Sequence, residues 1–396
     1  MQTQKSIAWF IFAGLSASLI SIGLARFAYT PLLPLLISEQ WFSASDAAYL
    51  GAANLAGYLI GALSGRPMGN AFSNKQTLRV MMLLVTLSFF ACAFPLSTAW
   101  YFVWRLISGI SGGAIMVLVA ATITPHVPAE RRNLASGAIF LGIGLGIFAS
   151  ATIVPMLIDL GLKTTWFGLG VFSTILTSLS WFNIPDPVAK VQEVGNSPIS
   201  ASVQQHAPEP KSIFLILYLQ YGLMAVFIVA PAVFIVDYIA RGLQFGAGTG
   251  ALFWGLYGIG SMIGPPLYGY FADKVGAKPT LRTVLAVEFL AIFALCATEN
   301  IIVMAILTVI IGSFPPGIVP LMLARIFEMT SCPRLRNVNW SKATIFFASA
   351  QALAGYGLSA VFSATHNDHR ILFILGGIAL LISLSMEILY RKTQQV

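Results

Sequence analysis

The sequence predicts an all-α membrane protein with twelve transmembrane helices. Three observations carry this. Of 396 residues, 57% are hydrophobic and 9% charged, where a soluble domain would be roughly a quarter charged. The apolar residues gather into twelve long runs. Residues of the first half also recur in the second, 200 to 203 positions later.

With so little polar surface the chain cannot cover a globule in water, so lipid must solvate most of it. In lipid each backbone N–H and C=O needs an internal partner, which leaves helices or a closed barrel. Barrel strands would read as ~10-residue alternating segments. The runs here are continuous, at about 7–37, 47–71, 78–97, 99–124, 134–159, 164–184, 213–238, 248–272, 281–297, 300–327, 342–363 and 370–390. The first is too long for a signal-peptide core and reads as a retained span.

Between the sixth and seventh runs lies a polar stretch from Pro185 to Pro210, rich in Ser, Gln and Pro and without apolar period. It reads as a linker at 186–211, dividing a six-helix unit at 1–185 from another at 212–396. Lys and Arg bias orients the spans. With the N-terminus inside, seventeen Lys and Arg fall on inside segments and three on outside segments. A multi-pass protein of a bacterial-type inner (plasma) membrane with both termini cytoplasmic is expected.

The net charge of +8 sits in short loops and forms no basic face for a phosphate backbone, so no nucleic-acid partner is expected. Cys92, Cys296 and Cys332 imply neither a disulfide framework nor a metal cluster. The four histidines fall in loops or at run ends, which argues against a histidine relay within the membrane.

The halves resemble each other in order. Ala25, Phe27 and Pro31 recur as Ala225, Phe227 and Pro231, and Gly69 as Gly269. Thr77-Leu78-Arg79 recurs as Thr280-Leu281-Arg282, and Gly109 as Gly312. Such a series reads as a duplicated unit.

The stretch Gly269-Tyr270-Phe271-Ala272-Asp273-Lys274-Val275-Gly276-Ala277-Lys278 resembles the loop signature of the major facilitator superfamily. Gly269 allows close packing, Gly276 a tight turn, and Asp273 can meet a helix N-terminus or a basic side chain. In the resembled proteins this is a latch of the outward-facing state. The first copy, Gly69 to Lys75, is eroded, with Ser73 where Asp is expected. Arg105 to Ala114 is similar to the family's helix-4 motif, whose Arg faces the cavity and is linked to proton coupling. No Gly-Pro antiporter motif occurs in the fifth run, which weakens a drug antiporter reading. Leu24 to Pro34 resembles the YbfB/YjiJ-like subgroup. The resemblance implies two six-helix bundles about a pseudo-two-fold axis, with helices 1, 4, 7 and 10 lining a central cavity.

Charges inside spans are expensive, ~2.5–3.5 kcal/mol on insertion scales. Arg26 and Arg105 fall at similar depth and could face each other across the cavity as donors to an anionic group; alternatively each binds backbone carbonyls. Asp237, near an outer end, could pair with Arg26 or release protons, whereas Asp46 follows Ser43 and Ser45 as an N-cap-region charge. Glu288 lies ~9 Å into the ninth span and is expected to be neutral and bonded to a neighbour. Tyr29, Asn54, Gln220, Tyr221, Trp254, Tyr257, Gln351 and Tyr356 could bind an organic solute or serve as interhelical glue. Pro265-Pro266 and Pro315-Pro316-Gly317 interrupt two helices, for gating or for packing.

The expected function is secondary active transport of a small organic solute, with an anion as one option, by alternating access. Protons are the expected coupling ion, since nothing resembles a nucleotide-binding loop. The alternatives are a drug or metabolite efflux antiporter and a non-transporting membrane sensor on the same scaffold. No enzyme activity or cofactor is expected. The partners expected are the solute, protons and membrane lipid, and the protein is expected to be a monomer.

Overall fold

A computed structural model of the chain describes residues 2–158, 160–186, 211–330, 332–365 and 368–393. The linker expected at 186–211 lies outside the described residues except for its ends, Asp186 and Lys211. The described residues form helices joined by short turns. The first span is composite: α1 (Gln2–Ser18), a π-helical turn (Leu19–Leu24), α2 (Ala25–Phe27) and α3 (Tyr29–Ser38). Single helices supply the rest: α4 (Ala44–Phe72), α5 (Asn74–Cys92), α6 (Thr98–Ile123), α7 (Arg132–Ile158) and α8 (Leu162–Trp181) in the first bundle. The second bundle holds α9 (Lys211–Asp237), α10 (Gly246–Val275), α11 (Ala277–Ala297), α12 (Ile301–Met329), α13 (Pro333–Ala364) and α14 (His369–Thr393).

Among the described residues nine helices are long and apolar enough to cross a membrane by length and composition. α4, α8 and α10 are of span length but richer in Gly, Ser and Thr. Their ends carry local signals. Ser43 accepts the Asp46 N–H at 3.1 Å to start α4, and Ser97 accepts the Trp100 N–H at 3.0 Å to start α6. The break between α2 and α3 follows from Pro31, which has no N–H for the Phe27 carbonyl and crowds it.

Each bundle is built round a close helix pair, and the pairs repeat. A Cβ at Gly109 would run into the Asn54 carbonyl, and one at Gly312 into the Tyr257 carbonyl. Both partners are thus 203 positions apart, as are the two glycines. The register at the following loop corrects the sequence frame that sets Ser73 opposite Asp273. Ser73 (φ 73°, ψ 149°) starts α5 as Gly276 (φ 94°, ψ 154°) starts α11. Thr77 Oγ1 donates to the Ser73 carbonyl and Thr280 Oγ1 to the Gly276 carbonyl, both at 2.8 Å. Ser73 therefore stands for Gly276, and Asn70 for Asp273. The three-residue drift is complete by Asn54, and the match of Gly69 to Gly269 lies outside the structural register.

Candidate functional site

The two bundles meet along α7 and α10. Backbone of Pro265 packs on Gly137, Ser261 on Gly144, and Gly258 on Phe148. Asp273 Oδ2 accepts the Leu134 N–H at 2.9 Å in the first turn of α7, where unsatisfied N–H groups favour an anion. Trp340 Nε1 on α13 donates to the Met116 carbonyl on α6 at 3.1 Å. Beyond Gly258 the glycines of these helices meet open space: a Cβ at Gly248 or Gly255 on α10, or at Gly357 on α13, would have nothing within 4 Å. The halves are therefore sealed at the end carrying Asp273 and part from each other beyond mid-bundle.

Arg26 sits where the seal ends. It is half-buried, and Nη1 donates to Gln351 Oε1 of the second bundle at 3.0 Å. Its guanidinium lies 5.4 Å from the Phe27 ring centroid and 5.9 Å from that of Tyr58. Tyr257 is near enough to interact electrostatically with it, and Trp254 stacks on Tyr257 at 5.2 Å. Tyr221, packed on Phe347 at 4.5 Å, is within electrostatic reach of Tyr58. Among the described residues no carboxylate interacts with Arg26. The arrangement is a cation in an aromatic surround at the junction of two bodies, suited to an anion bearing a flat apolar part.

Arg105 binds within its own bundle. Arg105, 3% exposed, donates from Nη1 to the Ala25 carbonyl at 2.6 Å and lies 4.2 Å from the Tyr29 ring centroid. Tyr29 in turn donates to the Ala47 carbonyl at 2.7 Å. Asn54 Nδ2 donates to Ser108 Oγ at 2.9 Å. The side chains of Arg105, Tyr29, Asn54 and Ser108 tie spans 1, 2 and 4 together. Arg105 holds the backbone one residue before Arg26 and so helps to fix where that side chain points.

The other candidates lie elsewhere. Gln220 donates to the Ser383 carbonyl at 3.0 Å and to Glu387 at 3.3 Å, joining α9 to α14. Asp237 pairs with Arg241 and, at 2.7 Å, with His369, which places it with α14 and away from Arg26. Tyr356 is 71% exposed and outside the Arg26 cluster. Around the loop signature, Gly269 packs on the Asn133 carbonyl, Lys274 lies over the Tyr270 ring at 4.7 Å, and Lys278 is in the first turn of α11. Gly69 packs beside Asn74 and Leu118. Sequence reasoning missed Tyr58; its one signal is position, one turn beyond Asn54 on the face that meets α6.

The comparisons with known proteins agree with this architecture. Residues 18–388 match the family described as "Uncharacterised MFS-type transporter YbfB". A gallate transporter of Pseudomonas putida is 24% identical over 67% of this chain and 66% of its own length. A benzoate transport protein of Acinetobacter baylyi is 25% identical over 38% of this chain and 34% of its own. These matches span less than two thirds of either relative. The solved structure of the proton:xylose symporter XylE, with 6-bromo-6-deoxy-D-glucose bound, superposes with a TM-score of 0.75 at 15% identity, covering 96% of this chain and 95% of that one.

Proposed function

The chain belongs to the YbfB-type family of major facilitator transporters, and from that premise we propose that it carries a small aromatic carboxylate across the membrane, coupled to protons. The observation that carries this reading is Arg26, a guanidinium at the junction of the bundles with aromatic rings about it and a neutral amide as its hydrogen-bond partner. A carboxylate would displace Gln351 and make charge-assisted bonds, while its ring would lie against Tyr58 and Tyr257. The relatives that carry gallate and benzoate support the same class.

In this reading the end bearing Asp273 is cytoplasmic, as the Lys and Arg bias requires, and the membrane is the inner membrane. The described arrangement is then an outward-facing form. Solute bound at Arg26 draws the bundles together, and the Asp273 seal opens inward. Gln351 and Tyr257 come from the second bundle and Arg26 from the first, so binding energy is available to the rocking step.

Counterflow of labelled gallate or benzoate in proteoliposomes tests the proposal. Wild-type protein should exchange one of them, and Arg26→Gln should weaken its affinity roughly 10- to 100-fold, from ~1.5–3 kcal/mol per charged hydrogen bond. Absence of exchange for aromatic carboxylates, or an Arg26→Gln variant that works as wild type does, refutes it. Ligand-dependent thermal stabilisation without exchange would instead favour a sensor.

A further inference from the structure

We propose that Glu288 is the site that takes up and releases the coupled proton; this rests on the proton-coupled reading above. Glu288 is on α11 and 0% exposed. The Tyr268 hydroxyl on α10 donates to its Oε1 at 3.2 Å, and Ser313 Oγ on α12 lies 3.4 Å from the same oxygen. The two hydroxyls are 2.6 Å apart, and Ser313 reaches the Ile310 carbonyl at 2.7 Å. Oε2 has no partner. The carboxyl is thus wired through three helices on one oxygen only.

This hydrogen-bond chain serves both protonation states. With a proton on Oε1, the carboxyl donates to Tyr268, Tyr268 to Ser313, and Ser313 to the Ile310 carbonyl. Without it, each hydroxyl turns round and donates toward the carboxylate. Hydroxyl rotors alone accomplish the reversal. Among the described residues no cation compensates the charged form. From α10 the facing titratable groups are Tyr268 and, within electrostatic reach, Tyr257. From α12 there is the Ser313 hydroxyl. On α14 the acidic group is Glu387, which Arg325 holds at 3.4 Å and Arg282 through its carbonyl at 3.0 Å, so among the described residues nothing charged on α14 faces Glu288. A membrane carboxyl so placed is retained at a cost and calls for a use.

The internal repeat supplies a control. At the 203-residue offset, Glu288, Tyr268 and Ser313 correspond to Val85, Gly65 and Ile110. Gly65 packs against Ala114; the Tyr268 ring packs against Gly317, the counterpart of Ala114. The same helix trio thus packs in the first bundle with no polar triad, Gly65 and Ala114 filling the place that Tyr268 and Gly317 fill in the second. The triad is an addition to the fold and not a requirement of it.

The triad also touches what must move. Tyr268 lies on α10 between Pro265, which meets α7 at Gly137, and Asp273, which holds the α7 N-terminus. A mainly apolar groove of 520 Å³ extends from Val275 and Pro279 at the seal end to Tyr268 and Ser313.

The experiment pairs gallate flux with infrared titration. Wild-type proteoliposomes should accumulate gallate under an inward proton gradient. Glu288→Gln, which mimics the neutral carboxyl, should lose that accumulation at least tenfold, while gallate exchange, which moves no net proton, persists. Glu288→Asp should restore accumulation with a shifted pH midpoint. Difference infrared spectra without solute should show a carboxyl band that fades as pH rises and is missing from Glu288→Gln. Gradient-driven accumulation at wild-type level in Glu288→Gln, or no such band in wild type, overturns the proposal. If wild type moves neither gallate nor benzoate, the solute reading fails, and the presence or absence of the band alone decides for or against Glu288.

Discussion

Asp273 of α10 and Leu134 of α7 are joined by a 2.9 Å bond from the Leu134 N–H to Oδ2, across the junction of the two bundles. The bond has a charge at one end and a helix N-terminus at the other, so two separable effects contribute. The hydrogen bond is worth ~1 kcal/mol, and the charge at the helix end ~0.3–1 kcal/mol when exposed and up to ~2 when partly buried. Asp273→Asn keeps an acceptor and loses the charge; Asp273→Ala loses both. The population with this end parted should therefore rise severalfold in Asp273→Asn and more in Asp273→Ala. Distances between spin labels on α7 and α10 at this end would measure it. Equal populations in all three proteins would show that the bond does not hold the seal.

Arg105 should behave as a stability residue that acts on transport through Arg26. Arg105→Met leaves the Ala25 carbonyl without its donor and removes a cation from the Tyr29 ring. A lost bond to a charged group costs ~1.5–3 kcal/mol, and the ring contact adds up to ~2 kcal/mol when desolvated. The thermal midpoint in detergent should fall by several degrees, and gallate affinity should fall with it. Arg105→Lys should recover part of the stability, because an ammonium reaches one carbonyl but cannot lie flat on the ring. An unchanged midpoint in Arg105→Met would refute this account.

The outcome for the two arginines marks where sequence reasoning ends. Apolar runs, the repeat and the loop signature are one-dimensional patterns, and each survives in the structure as a helix, a paired contact or the Asp273 bond. The destination of a side chain is set by helix rotation and by the π-helical turn at Leu19–Leu24, neither of which an apolar run encodes. Arg26 and Arg105 read alike as lone intramembrane cations, yet one meets Gln351 across the junction and the other a carbonyl within its own bundle. Gln220 reads as a cavity residue until Glu387, 167 positions away, is seen to claim it. Tyr58 looks like any tyrosine in an apolar run, and its ring becomes notable only beside a guanidinium.

The Lys75–Asp186 pair, at 2.8 Å, should leave no mark on behaviour near neutral pH. Lys75 holds the Asp186 carboxyl below its ordinary value, first through the hydrogen bond and then through its charge. A carboxyl lowered on folding stabilises the fold above its unfolded value of ~3.9, and that contribution is lost as pH falls through the lowered value. Between about pH 5 and 8 the carboxyl is ionised in both states, so no slope arises. Asp186 is fully exposed, and exposed pairs contribute little. Thermal midpoints of Asp186→Asn and wild type should run parallel across that range; a gap that widens toward pH 5 would contradict this.

Ser73 and Gly276 occupy one position of the repeat with one backbone conformation, and the chain has solved it twice in different ways. At φ 94° Gly276 is unstrained. At φ 73° Ser73 carries a Cβ penalty of roughly 1–2 kcal/mol. In exchange its hydroxyl caps α5 by accepting the Gln76 N–H at 3.3 Å. Exchanging a Ser cap for Gly costs only a few tenths of a kcal/mol, so the strain outweighs the cap. Ser73→Gly should therefore raise the thermal midpoint slightly. Gly276→Ala brings in the same strain with no hydroxyl to offset it, and should lower the midpoint by an amount equivalent to ~1–2 kcal/mol. Gly276→Ser, which restores a capping oxygen, should fall between Gly276→Ala and wild type. Differential scanning fluorimetry of the three variants in detergent tests the order. A Ser73→Gly midpoint below wild type would show that the Ser73 cap, weak by distance, does more for α5 than the backbone strain takes away.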